Sequence, residues 1–199
     1  METKPLFLVV SAPSGCGKST LCDMVLQRYP DFSYSVSCTT REPRGTEEDG
    51  VDYHFHTVER FRELVAENAF LEHAEVHGNH YGTLKAPIEE DLASGLSVIM
   101  DIDVQGAANV REHVKALPAG DPMREGFMDI FIMPPSLAEL RRRLEGRSTD
   151  APEVIERRLE NAEGEMARAD EFMFKVVNDD LQIAFKRICD LIDVKSGRM

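Results

Sequence analysis

Residues 12–20, Ala-Pro-Ser-Gly-Cys-Gly-Lys-Ser-Thr, place two glycines, a lysine and three hydroxyls in one short stretch. From 12 to 19 the spacing matches the phosphate-loop pattern G-x-x-x-x-G-K-[ST], with Ala12 where the first glycine usually stands. Gly15 and Gly17 allow the backbone a positive φ that turns N–H groups inward toward phosphate oxygens. A helix opening near Ser19 adds the partial positive charge of its N-terminus. Lys18 can reach the β and γ phosphates, and the Ser19 hydroxyl can ligate Mg²⁺. Ala12 fits this loop if it keeps a negative φ. Cys16 is expected to be a passive small filler rather than a reactive thiol. Such a loop predicts a bound nucleoside triphosphate without separating ATPase, GTPase and kinase.

A second group of residues bears on charge. Asp101 closes the apolar run SVIM (97–100), the position of a Walker-B aspartate that holds Mg²⁺ directly or through water. Asp103 lies two residues on, hence on the same side of an extended chain. A buried salt bridge is the alternative for either. The chain of 199 residues carries a formal net charge of −13, which disfavours duplex DNA and anionic membranes as partners. Any phosphate must therefore be held by locally placed cations. Arg41 and Arg44 stand in a polar loop. Arg143 and Arg147 are four apart, sharing a face if one helix spans both.

These groups need elements to position them. LFLVV (6–10) reads as a buried strand, too short for a signal peptide, feeding the loop and a helix from Ser19 to about Arg28. SYSVS (33–37) reads as a second strand, and 38–54 as loop. Val58, Phe61, Leu64 and Val65 share a helical face. A hairpin is expected near 70–83, and a helix between Pro87 and Gly95. SVIMDID (97–103) and FMDIFIM (127–133) are core strands, QGAANVREHV continues as helix, and 115–126 is a loop-like insertion. Ser136 with Glu139, and Asp150 with Glu153, have capping-box spacing. FKVVN (174–178) is a last strand, before a helix lined by Leu181, Phe185, Ile188 and Ile192. Buried strands alternating with helices imply an α/β fold with a parallel sheet covered on both faces. A composition of 42% hydrophobic and 30% charged residues suits a globular domain. The four cysteines lack ligand spacing, which fits reduced thiols in a cytoplasm.

APSGCGKS, SVSCTTREPRGTEEDGVDYHF (35–55), FLEHAEVHGNHYGT (70–83), DIDVQG, RRRLEGR and VVND together resemble guanylate kinases, in order and nearly without gaps, from about residue 6 to 190. The resemblance implies a P-loop three-layer core with a parallel sheet (1–35, 98–137 and 170–199). It also implies a small mixed nucleoside-monophosphate domain (36–97) and a helical lid (138–169). It places Arg41, Arg44, Tyr53 and Tyr81 on the phosphate of GMP, where guanidiniums and phenols can surround a dianion. It places Glu72 on the guanine edge, with Ser37, Thr83 and Asp103 around the base. An ionised carboxylate attracts guanine's N–H donors and repels the acceptor that adenine presents. Arg143, Arg147 and Arg158 match lid arginines, and Asn178 a position near adenine, although a cap or turn role is open to it. Arg141, Arg142 and Arg157 have no such match and read as solvated.

The implied activity is transfer of the γ-phosphate of ATP to GMP with Mg²⁺, with Lys18, Arg41, Arg147 and Arg158 neutralising charge and no general base. Two alternatives are a catalytically silent guanylate-kinase-like module for protein binding and a P-loop kinase for another phosphorylated small molecule. The first predicts a damaged phosphate loop, whereas Lys18 and Ser19 are present; Glu72 with Ser37 argues against the second. The chain departs from the family pattern at Thr46, where glycine is usual, and at His80, where tyrosine is frequent and a peripheral place is expected. Oligomeric state is not legible here.

Overall fold

The computed structural model describes residues 3–76, 78–146 and 151–198. Its core is a five-stranded parallel sheet in the order β2-β7-β1-β8-β9, formed by β2 (Phe32–Tyr34), β7 (Ser97–Asp101), β1 (Phe7–Ser11), β8 (Phe127–Met133) and β9 (Phe174–Val177). Helices cover both faces, so the central strands β1, β7 and β8 are mostly apolar and buried, whereas the edge strands β2 and β9 are partly exposed. Leu8 and Val10 of β1 enter one layer with Leu21 and Val25 of α1 (Lys18–Arg28) and Ile188 and Ile192 of α8 (Leu181–Ser196). Phe7 and Val9 enter the opposite layer with Ala107 and Val110 of α4 (Val104–Ala116). The register pairs Val10 with Asp101, so the ends of β1 and β7 lie side by side at the carboxyl edge, where open α/β sheets bind ligands.

A second, mixed sheet has the order β4-β3-β6-β5, from β3 (Cys38–Thr39), β4 (His54–Phe55), β5 (Phe70–Val76) and β6 (Asn79–Leu84). Phe61 of α2 (Val58–Ala66) stacks on Phe70 with ring centroids 4.5 Å apart, giving this sheet its own small core with Cys38 and Leu64. Successive residues of β5 face opposite sides, so Phe70 enters that core and Leu71 the α4 layer of the main sheet; the pairing register with β6 shifts between Phe70 and Glu72. His80 lies face to face with Phe61, centroids 5.3 Å apart, which occupies its ring in packing.

Five local readings differ from the sequence expectation. The strand expected at 33–37 is Phe32–Tyr34; Ser35 still donates to Ile99 O, after which the chain crosses to the second sheet. Residues 38–54 are not all loop, since Cys38–Thr39 and the start of β4 pair within the small sheet. The insertion at 115–126 contains α5 (Pro122–Gly126), capped by Asp121 with proline in its first turn and anchored by buried Met123. Helix α6 (Leu137–Glu145) is capped by Ser136 as expected but ends before Arg147, which lies outside the described residues. Asp150 lies outside them too, and the N-cap of α7 (Pro152–Met166) is Ala151.

Leu140 and Leu144 of α6 and Ile155 and Leu159 of α7 belong to the same apolar layer as α1 and α8. Fully burying one leucine stabilises by about 1.5–3 kcal/mol, and Leu140 and Leu144 hold α6 against α7 and the phosphate loop beside Gly15. Helix α3 (Lys85–Ala93) places Ile88 and Leu92 in the α4 layer, and its Asp91 accepts from Ser33 at 2.5 Å. Among the described residues no helix is long and apolar enough to cross a membrane.

Candidate active site

The loop between β1 and α1 has the conformation its glycines permit. Gly15 and Gly17 have φ of 92° and 82°, and Ala12 is not among the described residues with positive φ. Space matters as much as φ. A Cβ on Gly15 would sit 2.9 Å from Leu144 Cδ2, and one on Gly17 would sit 2.6 Å from Asn178 Nδ2. Buried Asn178 donates that amide to Cys16 O at 2.8 Å, bracing the loop from β9. The Cys16 side chain is fully buried, and desolvation pushes its thiol up to about 12, so it is a filler. Residues Ala12, Pro13, Ser14, Gly15, Gly17, Lys18, Ser19 and Thr20 line a cavity of about 370 Å³ together with Asp103 and Glu165.

Lys18 Nζ is 3.2 Å from Asp101 Oδ2, and the Tyr34 hydroxyl donates to Asp101 Oδ1 at 2.6 Å. Each charge thus has a partner in this state. Lys18, Ser19 and Asp101 also line a second cavity, of about 490 Å³, with Ser37, Tyr53, Glu72, Tyr81 and Asp103. Its far wall is the small sheet. Thr83 Oγ1 donates to Glu72 Oε1 at 3.0 Å, and the Ser37 and Thr83 hydroxyls are 3.2 Å apart. A Cβ on Gly106 would meet Glu72 Oε2 at 3.1 Å, so a glycine in the first turn of α4 admits that carboxylate. Asp103 caps α4, accepting from Gly106 N–H at 2.7 Å. Burial first, then Asp103, pushes the Glu72 carboxyl up to about 7 against the pull of Thr83.

The arginines are disposed differently from one another. Arg41 is buried and held by both oxygens of Glu47, each at 2.9 Å, with Glu42 O also accepting from its Nη1. Its guanidinium stands 5.3 Å from the centroid of Tyr53, whose ring packs edge-on to Tyr81. Glu47 also accepts from Arg44 N–H at 2.8 Å, whereas the Arg44 side chain is exposed. Neither guanidinium lines the 490 Å³ cavity; Tyr53 and Tyr81, which do, stand between. Arg143 donates to Glu139 at 2.8 Å and to Asp179 O, and Arg158 reaches across to Ser14 Oγ at 3.2 Å. Arg141 and Arg142 pair with Glu156 and Glu139 on the surface.

The sequence model of the guanylate kinase family matches residues 3–195. The chain belongs to the guanylate kinase family. It is 49% identical over 184 residues to a guanylate kinase of Anaeromyxobacter dehalogenans, covering 92% of this chain and 77% of the relative. It is 46% identical to one of Shewanella frigidimarina, covering 96% and 88%. The crystal structure of guanylate kinase from Anaplasma phagocytophilum superposes with a TM-score of 0.73 at 32% identity, over 98% of this chain and 88% of that one. The activity is accordingly that of an ATP:GMP phosphotransferase.

In this guanylate kinase, sequence reasoning missed four side chains of the cleft. Glu47 grips Arg41, Tyr34 holds Asp101, Leu144 fills the space beside Gly15, and Glu165 faces the phosphate loop. Only Glu47 had a local signal, its place six residues after Arg41 in the same polar loop. The other three depend on packing between distant parts of the chain.

Proposed function

We propose that GMP binds in the 490 Å³ cavity and ATP on residues Ala12 to Thr20, with Mg²⁺ between Ser19 and Asp101. The observation that carries this reading is the single cavity shared by Lys18 and Ser19 on one side and Glu72, Tyr53 and Tyr81 on the other. An acceptor held by the small sheet then faces the donor's terminal phosphate.

Ionised Glu72 accepts from guanine N–H groups, with Ser37, Thr83 and Asp103 completing the polar wall around the base. Arg41 spends Nη1 and one Nη2 proton on Glu47 and Glu42 O. Its Nε–H and second Nη2–H share the opposite edge, the fork that fits a phosphate dianion. Arg44, Tyr53 and Tyr81 close over the same phosphate. Movement of the 36–97 domain toward the core brings both guanidiniums to the cleft. Lys18 leaves Asp101 for the β and γ phosphates. Arg143, Arg147 and Arg158 of the lid (138–169) offset charge on the moving group, and Asn178 supports the loop near the adenine.

Ser19 and Asp101 offer hard oxygen donors on one cavity wall, which suits Mg²⁺. Among the described residues no cluster of three protein ligands exists, consistent with a cation completed by nucleotide phosphates and water. Bound there, the ion would neutralise charge on the transferring phosphoryl group. GMP's phosphate is already largely ionised at neutral pH, so positioning and electrostatics carry the rate without a general base. The net charge of −13 supports a reading without nucleic-acid or membrane partners, in the cytoplasm. A coupled assay with ATP, with and without Mg²⁺, over a panel of acceptors tests this. GMP and Mg²⁺ should both be required for ADP release above the water background; release independent of GMP would overturn it.

A further inference from the structure

Helix α7 presents two charged side chains to the phosphate loop. Arg158 donates to Ser14 Oγ at 3.2 Å, and Glu165, two turns on and hence on the same face, lines the 370 Å³ cavity formed by residues 12–20. The position is unfavourable for a carboxylate. Glu165 lies in the last turn of α7, where the helix dipole is negative. It is half-buried, and no hydrogen bond or ion pair joins its side chain to a described residue. Burial and Asp103 both push its carboxyl up, against the pull of Lys18. The other glutamates of α7 outside its first turn, Glu156, Glu160 and Glu163, are exposed. A carboxylate with no partner among the described residues, facing an anion-binding loop, weakens anion binding, most of all for the most highly charged anion.

We propose that Glu165 makes the phosphate loop select its donor as the metal complex, by repelling the uncomplexed triphosphate. This rests on the loop being the donor site. Coulomb energy scales with the product of charges, and complexation by one divalent ion reduces a triphosphate from about −4 to about −2. The penalty from one fixed carboxylate is therefore about twice as large, in logarithmic terms, for the free nucleotide. Half-burial keeps the interaction from being screened away. Selection here is built from a repulsive element rather than from an added contact.

Calorimetric titration with a non-hydrolysable ATP analogue, once in EDTA and once in saturating Mg²⁺ at matched ionic strength, tests the proposal. Glu165→Gln should tighten metal-free binding about tenfold and metal-complexed binding no more than about threefold. Glu165→Asp, which keeps the charge, should retain the wild-type ratio of the two constants, and Glu160→Gln on the exposed face should change neither. Equal shifts in both constants for E165Q, no shift in either, or an E165D ratio matching that of E165Q would overturn it. Lys18→Met separates the two levels. If K18M binds the metal-complexed analogue as well as wild type, the donor-site reading itself fails. If K18M loses binding while E165Q leaves the ratio unchanged, only the role of Glu165 fails.

Discussion

Lowering the pH should weaken GMP binding through Glu72, in a window set by its surroundings. The carboxyl stands at about 7 rather than 4.5 because it is buried beside Asp103. That difference is worth about 3 kcal/mol between its two protonation states. Guanine binding draws on the ionised form, so the dissociation constant should scale as 1 + 10^(pKa − pH). The factor is about 1.1 at pH 8, about 2 at pH 7 and about 11 at pH 6. A phosphate monoester has a second ionisation near 6, which adds its own pH dependence. Comparison with Glu72→Gln removes it, because that ionisation is common to both proteins. The assay is the GMP dissociation constant from pH 8 to pH 6 for both proteins. At pH 8 E72Q should bind about 1–3 kcal/mol more weakly, and the ratio to wild type should shrink about tenfold by pH 6. A ratio independent of pH would refute the reasoning. Stability runs the other way: with the folded pKa above the unfolded value, the protonated form favours the fold. That contribution is full below about 4.5 and is lost as pH rises through about 7. E72Q should therefore be more stable than wild type at pH 8, by up to about 3 kcal/mol in urea unfolding.

Lys18→Met should lower kcat by at least about 10²-fold, with a circular-dichroism spectrum and melting temperature close to wild type. Glu47→Gln should raise KM for GMP on the order of tenfold and leave KM for ATP within about twofold, as Arg41 loses its bidentate partner; steady-state kinetics with each substrate varied separates the two. Leu144→Ala, at a fully buried position, should cost about 2–5 kcal/mol in urea unfolding and raise KM for ATP, because the wall beside Gly15 is removed.

Much of the fold was legible because its signals are local. The strand at the phosphate loop, the hairpin, and the cap at Ser136 each depend on residues within a few positions. Helix α5 was missed: Asp121-Pro122 is a helix-start signal, but the surrounding glycine and prolines made the segment read as loop. The acceptor side rested on the family resemblance: nothing local marks Glu72 as buried, and its surroundings come from Thr83 and Asp103 and from the missing side chain at Gly106. The supports of the site were not legible. Gly15 meets Leu144, and Asn178 meets Cys16, across more than a hundred residues of sequence, and Tyr34 meets Asp101 only because β2 and β7 pair. Such partners are chosen by packing rather than by any pattern along the chain.

The most direct test of the site is a crystal structure with GMP, Mg²⁺ and a non-hydrolysable ATP analogue bound together. The expected result is the GMP phosphate on the Nε/Nη2 edge of Arg41 and on Arg44, its guanine on Glu72, and the analogue's terminal phosphate within reach of Lys18. A GMP phosphate remote from both arginines, or a base that leaves Glu72 untouched, would contradict it.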